Sequence, residues 1–260
     1  MEAHLHEILE AEQAQELCRG CDGKTCRQPI RGMIPLVDRE APRFYKTMHM
    51  CRHERNRRKQ ERLDTLYRMA SIPAVYAEDT WEDYHTDKAN YPAVQLAKSI
   101  VEGKTGGKGM LIYGPKGTGK TKLAAIMANE MVKKGTPVLF SSMPELVMDL
   151  KSKLGEDGAL EEAIRTVQEV EVLILDDLGT ERPTPWVNEQ VFTILNRRYN
   201  EKRLTIITSN YQPGMLALRL SPTERNGGAA DTTMGERLVS RIYGLCDRVE
   251  IKGQDKRMRG

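Results

Sequence analysis

The eight residues Gly114-Pro115-Lys116-Gly117-Thr118-Gly119-Lys120-Thr121 set three glycines, an amine and a hydroxyl in an order that can wrap an anion. Glycines let backbone N–H groups approach a phosphate without Cβ clashes, and a following helix N-terminus adds partial positive charge. Lys120 is spaced to reach the β- and γ-phosphates of a nucleotide, and the Thr121 hydroxyl to bind Mg²⁺. A pair of carboxylates, Asp176 and Asp177, closes the apolar run Val172-Leu173-Ile174-Leu175. Asp176 suits a Mg²⁺ held through water. Asp177 suits orienting or deprotonating an attacking water, or else capping a loop. Asn210 ends another apolar run and can hydrogen-bond that water or the γ-phosphate, or serve as a turn residue. Cysteine supplies a separate chemistry. Cys18 and Cys21 form a C-x2-C turn that lets two thiolates grip one Zn²⁺, with Cys26 and Cys51 completing the set. His49 or His53 can replace one of those thiolates.

These groups need a scaffold that gathers distant residues. Residues 110–113 before the glycine loop and the helical pattern from Lys122 to Lys134 after it supply strand, loop and helix, the context the motif requires. Residues 137–141, 172–175, 204–210 and 247–251 read as further strands, with helices over 144–153, 159–170 and 186–202. The alternation predicts an α/β three-layer sandwich around a mainly parallel five-stranded sheet, with its polar strand tips where such sheets bind ligands. The helix over 186–202 turns Val187, Val191, Ile194 and Leu195 inward. The helix beginning at Gly235 places Arg237 and Arg241 on one face. Residues 223–233 read as a mobile loop and Cys246 as a packed thiol.

Upstream, residues 2–17 read as a short helix with Leu5, Ile8, Leu9 and Leu17 near one face. Residues 18–53 hold little core material, so a structural zinc would act as a staple. The stretch from Arg52 to Arg68 is a basic helix, either tracking a phosphate backbone or simply solvated. Pro73 ends it, and the aromatics of residues 74–87 suit a segment docked on a domain. The expected division is 1–53 as a helix plus zinc-binding domain, 54–72 as a basic linker helix and 73–260 as an ATPase domain. Candidate DNA contacts are Arg55, Arg57, Arg58, Lys59, Arg197, Arg198 and the basic tail. None shows the interleaved aromatics of a single-strand stacking platform.

The net charge of +3 over 260 residues is too mild to indicate nucleic acid by itself. No apolar run approaches membrane-spanning length, and the N-terminus does not read as a signal peptide. Both point to the cytoplasm, where clustered cysteines favour metal over disulfides.

In sum, GPKGTGKT, VLILDDLG, IITSN and GERLVSRI resemble, in that order, the AAA+ ATPases of the DnaC/DnaI helicase-loader and IstB transposition-helper group. The resemblance covers roughly residues 72–257. It implies that Asn210 is the sensor-1 residue, that Arg241 is an arginine finger entering a neighbour's ATP site with Arg237 one turn before it, and that Arg257 is the sensor-2-like arginine. It also implies ATP and Mg²⁺ as ligands, with single-stranded DNA, a hexameric DnaB-type replicative helicase and further copies of this chain as partners. The cysteine-rich N-terminus is similar to the zinc-bearing helicase-interaction domain of such loaders. Two departures stand out. Asp177 replaces the usual glutamate, and the chain stops too soon after Arg241 for a C-terminal helical lid. Hydrolysis is therefore expected to be slow in one subunit and completed by a neighbour. An IstB-like transposition helper and a nucleotide-gated DNA-binding adaptor are the alternative functions.

Overall fold

The computed structural model describes residues 2–19, 21–38, 45–221 and 232–253, and the chain divides into two units, Met1–Thr65 and Leu66–Gly260. The first begins with helix α1 (Glu2–Arg19) and continues into an antiparallel hairpin, β1 (Met33–Asp38) and β2 (Tyr45–Met50), in register from Met33 opposite Met50 to Asp38 opposite Tyr45. Alternating character across Met33–Asp38 is short and interrupted by Pro35, which is why the hairpin is not evident from the sequence. The buried apolar side chains of this unit are Ala11, Ala14 and Pro35, among the described residues. Leu5, Leu9 and Leu17 of α1 are exposed instead of forming the expected inward face. Helix α2 (Arg52–Ala70) carries the boundary between the units, and its Leu66 and Ala70 belong to the core of the second.

The second unit is built on five strands: β3 (Gly109–Tyr113), β4 (Val138–Ser142), β5 (Val172–Asp176), β6 (Leu204–Ser209) and β7 (Cys246–Glu250). Their order is β4-β5-β6-β3-β7, and every pairing is parallel. Strands this apolar need cover on both faces. Met110, Ile112, Ile174 and Ile206 point to one layer, formed by helices α3 (Tyr91–Val101) and α4 (Lys120–Lys133). Leu111, Leu173, Leu175 and Ile207 point to the other, formed by α5 (Met143–Ser152), α6 (Ala159–Glu169), α7 (Pro185–Asn200), α8 (Pro213–Arg219) and α9 (Thr233–Leu245). The expected three-layer α/β sheet is present, and among the described residues it is wholly parallel. The short helix α8 has no counterpart in the sequence reading.

Residues 74–87 dock as their aromatics suggest. The buried Asn129 of α4 donates to the carbonyls of Tyr76 at 2.8 Å and Asp79 at 2.9 Å, and Lys98 lies over the Trp81 ring. Cys246 is buried and donates to the Thr205 carbonyl, and burial pushes its thiol well above the usual range. No helix among the described residues is long and apolar enough to cross a membrane. The expected mobile loop lies almost wholly outside the described residues.

Candidate nucleotide site

The site begins where β3 runs out. Gly114 has φ +144° and lies so close to the next segment that a Cβ there would sit 2.1 Å from the Ile251 carbonyl oxygen. Gly117 and Gly119 also have positive φ, which side-chain-bearing residues avoid, and Gly119 is the N-cap of α4. Pro115 and Lys116 are exposed at the loop's outer edge, whereas Thr118 folds back to donate to the Pro115 carbonyl at 2.9 Å. The loop is thus a backbone cradle opening onto a helix N-terminus.

Lys120 is buried, and its ammonium donates to the carbonyls of Gly114 (3.0 Å) and Pro115 (2.8 Å) and to Asn210 Oδ1 (2.8 Å). The Asn210 amide donates in turn to Asp177 Oδ1 at 3.0 Å. Thr121 Oγ1 donates to Asp176 Oδ2 at 3.1 Å, and Thr208 Oγ1 donates to Asp176 Oδ1 at 2.6 Å while accepting the Asp177 N–H at 2.9 Å. Residues from the glycine loop and the tips of β5 and β6 therefore form one bonded cluster. Burial pushes the Asp176 carboxyl up, the Thr208 bond opposes that, and the neighbouring Asp177 charge adds to it. Two carboxylates this close favour a cation between Asp176 and Thr121. Asp177 itself has φ +58°, a left-handed conformation that Asp and Asn tolerate better than most residues.

The sequence reading missed Thr208 and Tyr84. Thr208 precedes Asn210 by two, the spacing that puts strand side chains on one face, so its signal was there to find. Tyr84 carried none. Its ring is buried, its hydroxyl would lie 3.2 Å from a Cβ on Gly119, and among the described residues that hydroxyl makes no well-formed hydrogen bond, the Asn90 side chain being the polar group beside it. Burial pushes the phenol up to about 12.

The arginines divide sharply. Arg241 donates from Nε to Asn196 Oδ1 of α7 at 2.8 Å, and its guanidinium lies 5.1 Å from the Tyr199 ring centre and 6.0 Å from that of Phe192. Arg237 stacks on Phe192 at 4.6 Å. Arg257 lies outside the described residues. Arg198, named above as a DNA candidate, is fully buried. It donates to Thr205 Oγ1 and to the carbonyls of Val167, Gln168, Val170 and Leu204, so it staples α6, α7 and β6 and offers nothing to DNA. Arg57 and Arg58 both bond the buried Glu54, and Arg57 also pairs with Glu61. Those guanidiniums, bonded first through Arg57, hold Glu54 down at about 2. Two of the helix's candidate DNA-contacting arginines, Arg57 and Arg58, are thus paired within the helix itself, which favours its solvated reading at those positions.

In the first unit, Cys21, Cys26, Cys51 and His53 line one cavity of about 270 Å³. Backbone N–H groups donate to three of these sulfurs, from Gly23 to Cys21, from Gly32 to Cys26 and from Glu54 to Cys51. The Gly32 bond leads the causes that hold the Cys26 thiol below its usual range. Cys18 is not part of that cavity lining and accepts from the Gln28 amide at 3.3 Å, while His49 bonds Thr47. Among the described residues no group of three or more His, Cys, Asp or Glu side chains is assembled to hold a metal ion. Neither the four-cysteine set nor a set with His49 or His53 is gathered into a ligand cluster among the described residues, and His53 is the imidazole that shares the cavity with Cys21, Cys26 and Cys51.

A glycine cradle at a helix start, beside a lysine and a carboxylate-tipped central strand of a parallel sheet, is the plan of a P-loop nucleotide-binding protein. The chain belongs to the family described as IstB-like ATP binding protein, whose model matches residues 40–260. It is 27% identical over 263 residues to the replicative helicase loader DnaI of Bacillus subtilis (strain 168), covering 99% of this chain and 84% of DnaI. A crystal structure of the DnaC helicase loader is 31% identical with a TM-score of 0.58, covering 69% of this chain and all of that one. The replication initiator DnaA bound to AMPPCP and single-stranded DNA is 27% identical with a TM-score of 0.56, over 72% of this chain and 52% of DnaA. The chain thus spans about half the length of the DnaA it matches. Its second unit shares the AAA+ fold of these replication proteins.

Proposed function

We propose that this protein is an ATPase that loads a hexameric DnaB-type helicase onto single-stranded DNA at the initiation of replication. The observation carrying the ATPase reading is the bonded run from Lys120 through Asn210 to Asp177, beside the Thr121–Asp176 pair. In this reading the glycine-loop N–H groups and Lys120 bind the phosphates. Asn210 and Asp177 orient the attacking water, and Thr121 and Asp176 hold Mg²⁺. The cation would neutralise charge on the β- and γ-phosphate oxygens. In this reading Arg241 of α9 acts on a nucleotide bound to a second copy, as the likeness to AAA+ helicase loaders suggests, and in its own chain it contacts Asn196, Phe192 and Tyr199 of α7 and not the nucleotide cluster. Hydrolysis is accordingly slow in a lone subunit and faster in an assembly.

The N-terminal unit is the helicase-binding part. Leu5, Leu9, Leu17, Ile30, Met48 and Met50 are all exposed on a unit of 65 residues, an apolar surface suited to a protein partner. Zinc is part of this reading by donor chemistry: Cys21, Cys26, Cys51 and His53, which share one cavity, are the favoured ligands, although among the described residues their side chains are not gathered into a ligand cluster. The alternative of an IstB-like transposition helper rests on the family match, which begins at residue 40. The similarity to DnaI extends through the N-terminal unit and favours loading. Capture of purified replicative helicase by the full chain, and its loss on removing residues 1–65, is the expected result. Undiminished capture by the shortened chain would refute this division of labour.

A further inference from the structure

The mode of attachment of Arg241 is more specific than a finger on a helix requires. Asn196 holds it by Nε, the inner edge of the guanidinium, and Tyr199 and Phe192 supply ring faces. Tyr199 lies directly against Gly244 of α9, where a Cβ would sit 2.3 Å from its ring, and its remaining surface is exposed. Neither Arg241 nor Arg237 has a carboxylate partner among the described residues, although most cations of the second unit that are paired at all find one on a near neighbour. A guanidinium held at Nε and set against ring faces leaves Nη1 and Nη2 available as the fork that fits phosphate oxygens.

We propose that Asn196, backed by Phe192 and Tyr199, is the positioning group of Arg241, presenting its Nη fork to the terminal phosphate of a nucleotide bound to a second copy of this chain. The proposal rests on Arg241 acting in trans. Asn196 touches no phosphate itself. It fixes the direction of the group that does, and a misplacement of about 1 Å can lower such a rate ~10²-fold.

Mixed-subunit hydrolysis tests it. Lys120→Ala supplies a finger without a working site, and Arg241→Ala supplies a site without a finger, so their mixture is expected to hydrolyse ATP when neither does alone. Adding Asn196→Ala to the Lys120→Ala subunit is expected to lower that rescue by about tenfold to a hundredfold. Adding it to the Arg241→Ala subunit should leave rescue unchanged, because that copy's own finger is already gone. A general folding defect would lower both arms equally, and that result would overturn the positioning role. So would full rescue from the Lys120→Ala/Asn196→Ala donor. If the parent mixture fails to rescue at all, the trans role of Arg241 falls first, and this proposal with it.

Discussion

Two hydroxyls at the nucleotide site make opposite predictions because one is bonded and the other is not. Thr208 serves both acids, donating to Asp176 and accepting from the Asp177 backbone. Thr208→Val keeps the shape and removes those bonds, leaving a buried carboxylate oxygen and an N–H short of partners at a cost of about 1–3 kcal/mol. The chain should still bind nucleotide, and single-turnover hydrolysis should fall roughly tenfold or more. Tyr84 is the converse. Among the described residues its buried hydroxyl makes no well-formed hydrogen bond, with only the Asn90 side chain beside it, so Tyr84→Phe should raise the melting temperature by a few degrees, corresponding to about 1 kcal/mol. A lower melting temperature would mean that the phenol is bonded in solution. Asp177 separates chemistry from fold. Asn tolerates its left-handed backbone and can still face Asn210, so Asp177→Asn should melt like the parent while losing hydrolysis. Equal activity would leave Asp177 as only a loop carboxylate.

At the scale of elements, what was legible followed from how local the signal was. The glycine loop, the Asp176–Asp177 strand and the Asn210 strand each announce themselves through a short run of residue types. Parallel packing then brings their C-terminal tips together with no further information needed. The hairpin of β1 and β2 and the short helix α8 lack any such run. Arg198 shows the limit most plainly. On a helical wheel it is one of two adjacent arginines, and only the packing of α6 against β6 reveals that its guanidinium is surrounded by carbonyl oxygens. With no carboxylate to pair with, it stays charged through those acceptors alone. Arg198→Met should therefore destabilise the second unit by about 3 kcal/mol or more, since it strands several buried acceptors at once. Arg197→Ala on the exposed side should change the melting temperature little. If instead Arg198→Met weakens DNA binding with no loss of stability, the residue is not the staple its contacts describe.

For the molecule as a whole, the two units differ in what can hold them folded. The second has a sheet covered by two helical layers, with dozens of fully apolar contacts between buried side chains. The first has Ala11, Ala14 and Pro35 as its buried apolar side chains among the described residues, and six large apolar residues face outward. A unit of that size without a core needs a metal, a disulfide or a partner to be stable. Its cysteines are free, and three of them share a cavity with His53. A bound zinc would supply folding free energy directly, so its removal should unfold this unit and leave the other intact. Treating the full chain with a zinc-selective chelator in the presence of excess Mg²⁺ should thus abolish helicase capture and lower helical signal, while titration with a fluorescent ATP analogue remains unchanged. Cys26→Ser and Cys51→Ser should behave like the chelator. Cys18→Ser, whose sulfur only accepts from Gln28, should retain both metal and capture. Loss of zinc in Cys18→Ser but not in His53→Ala would return the ligand set to four cysteines. A protein purified without zinc that still binds helicase would leave the apolar surface as the sole basis of that interaction.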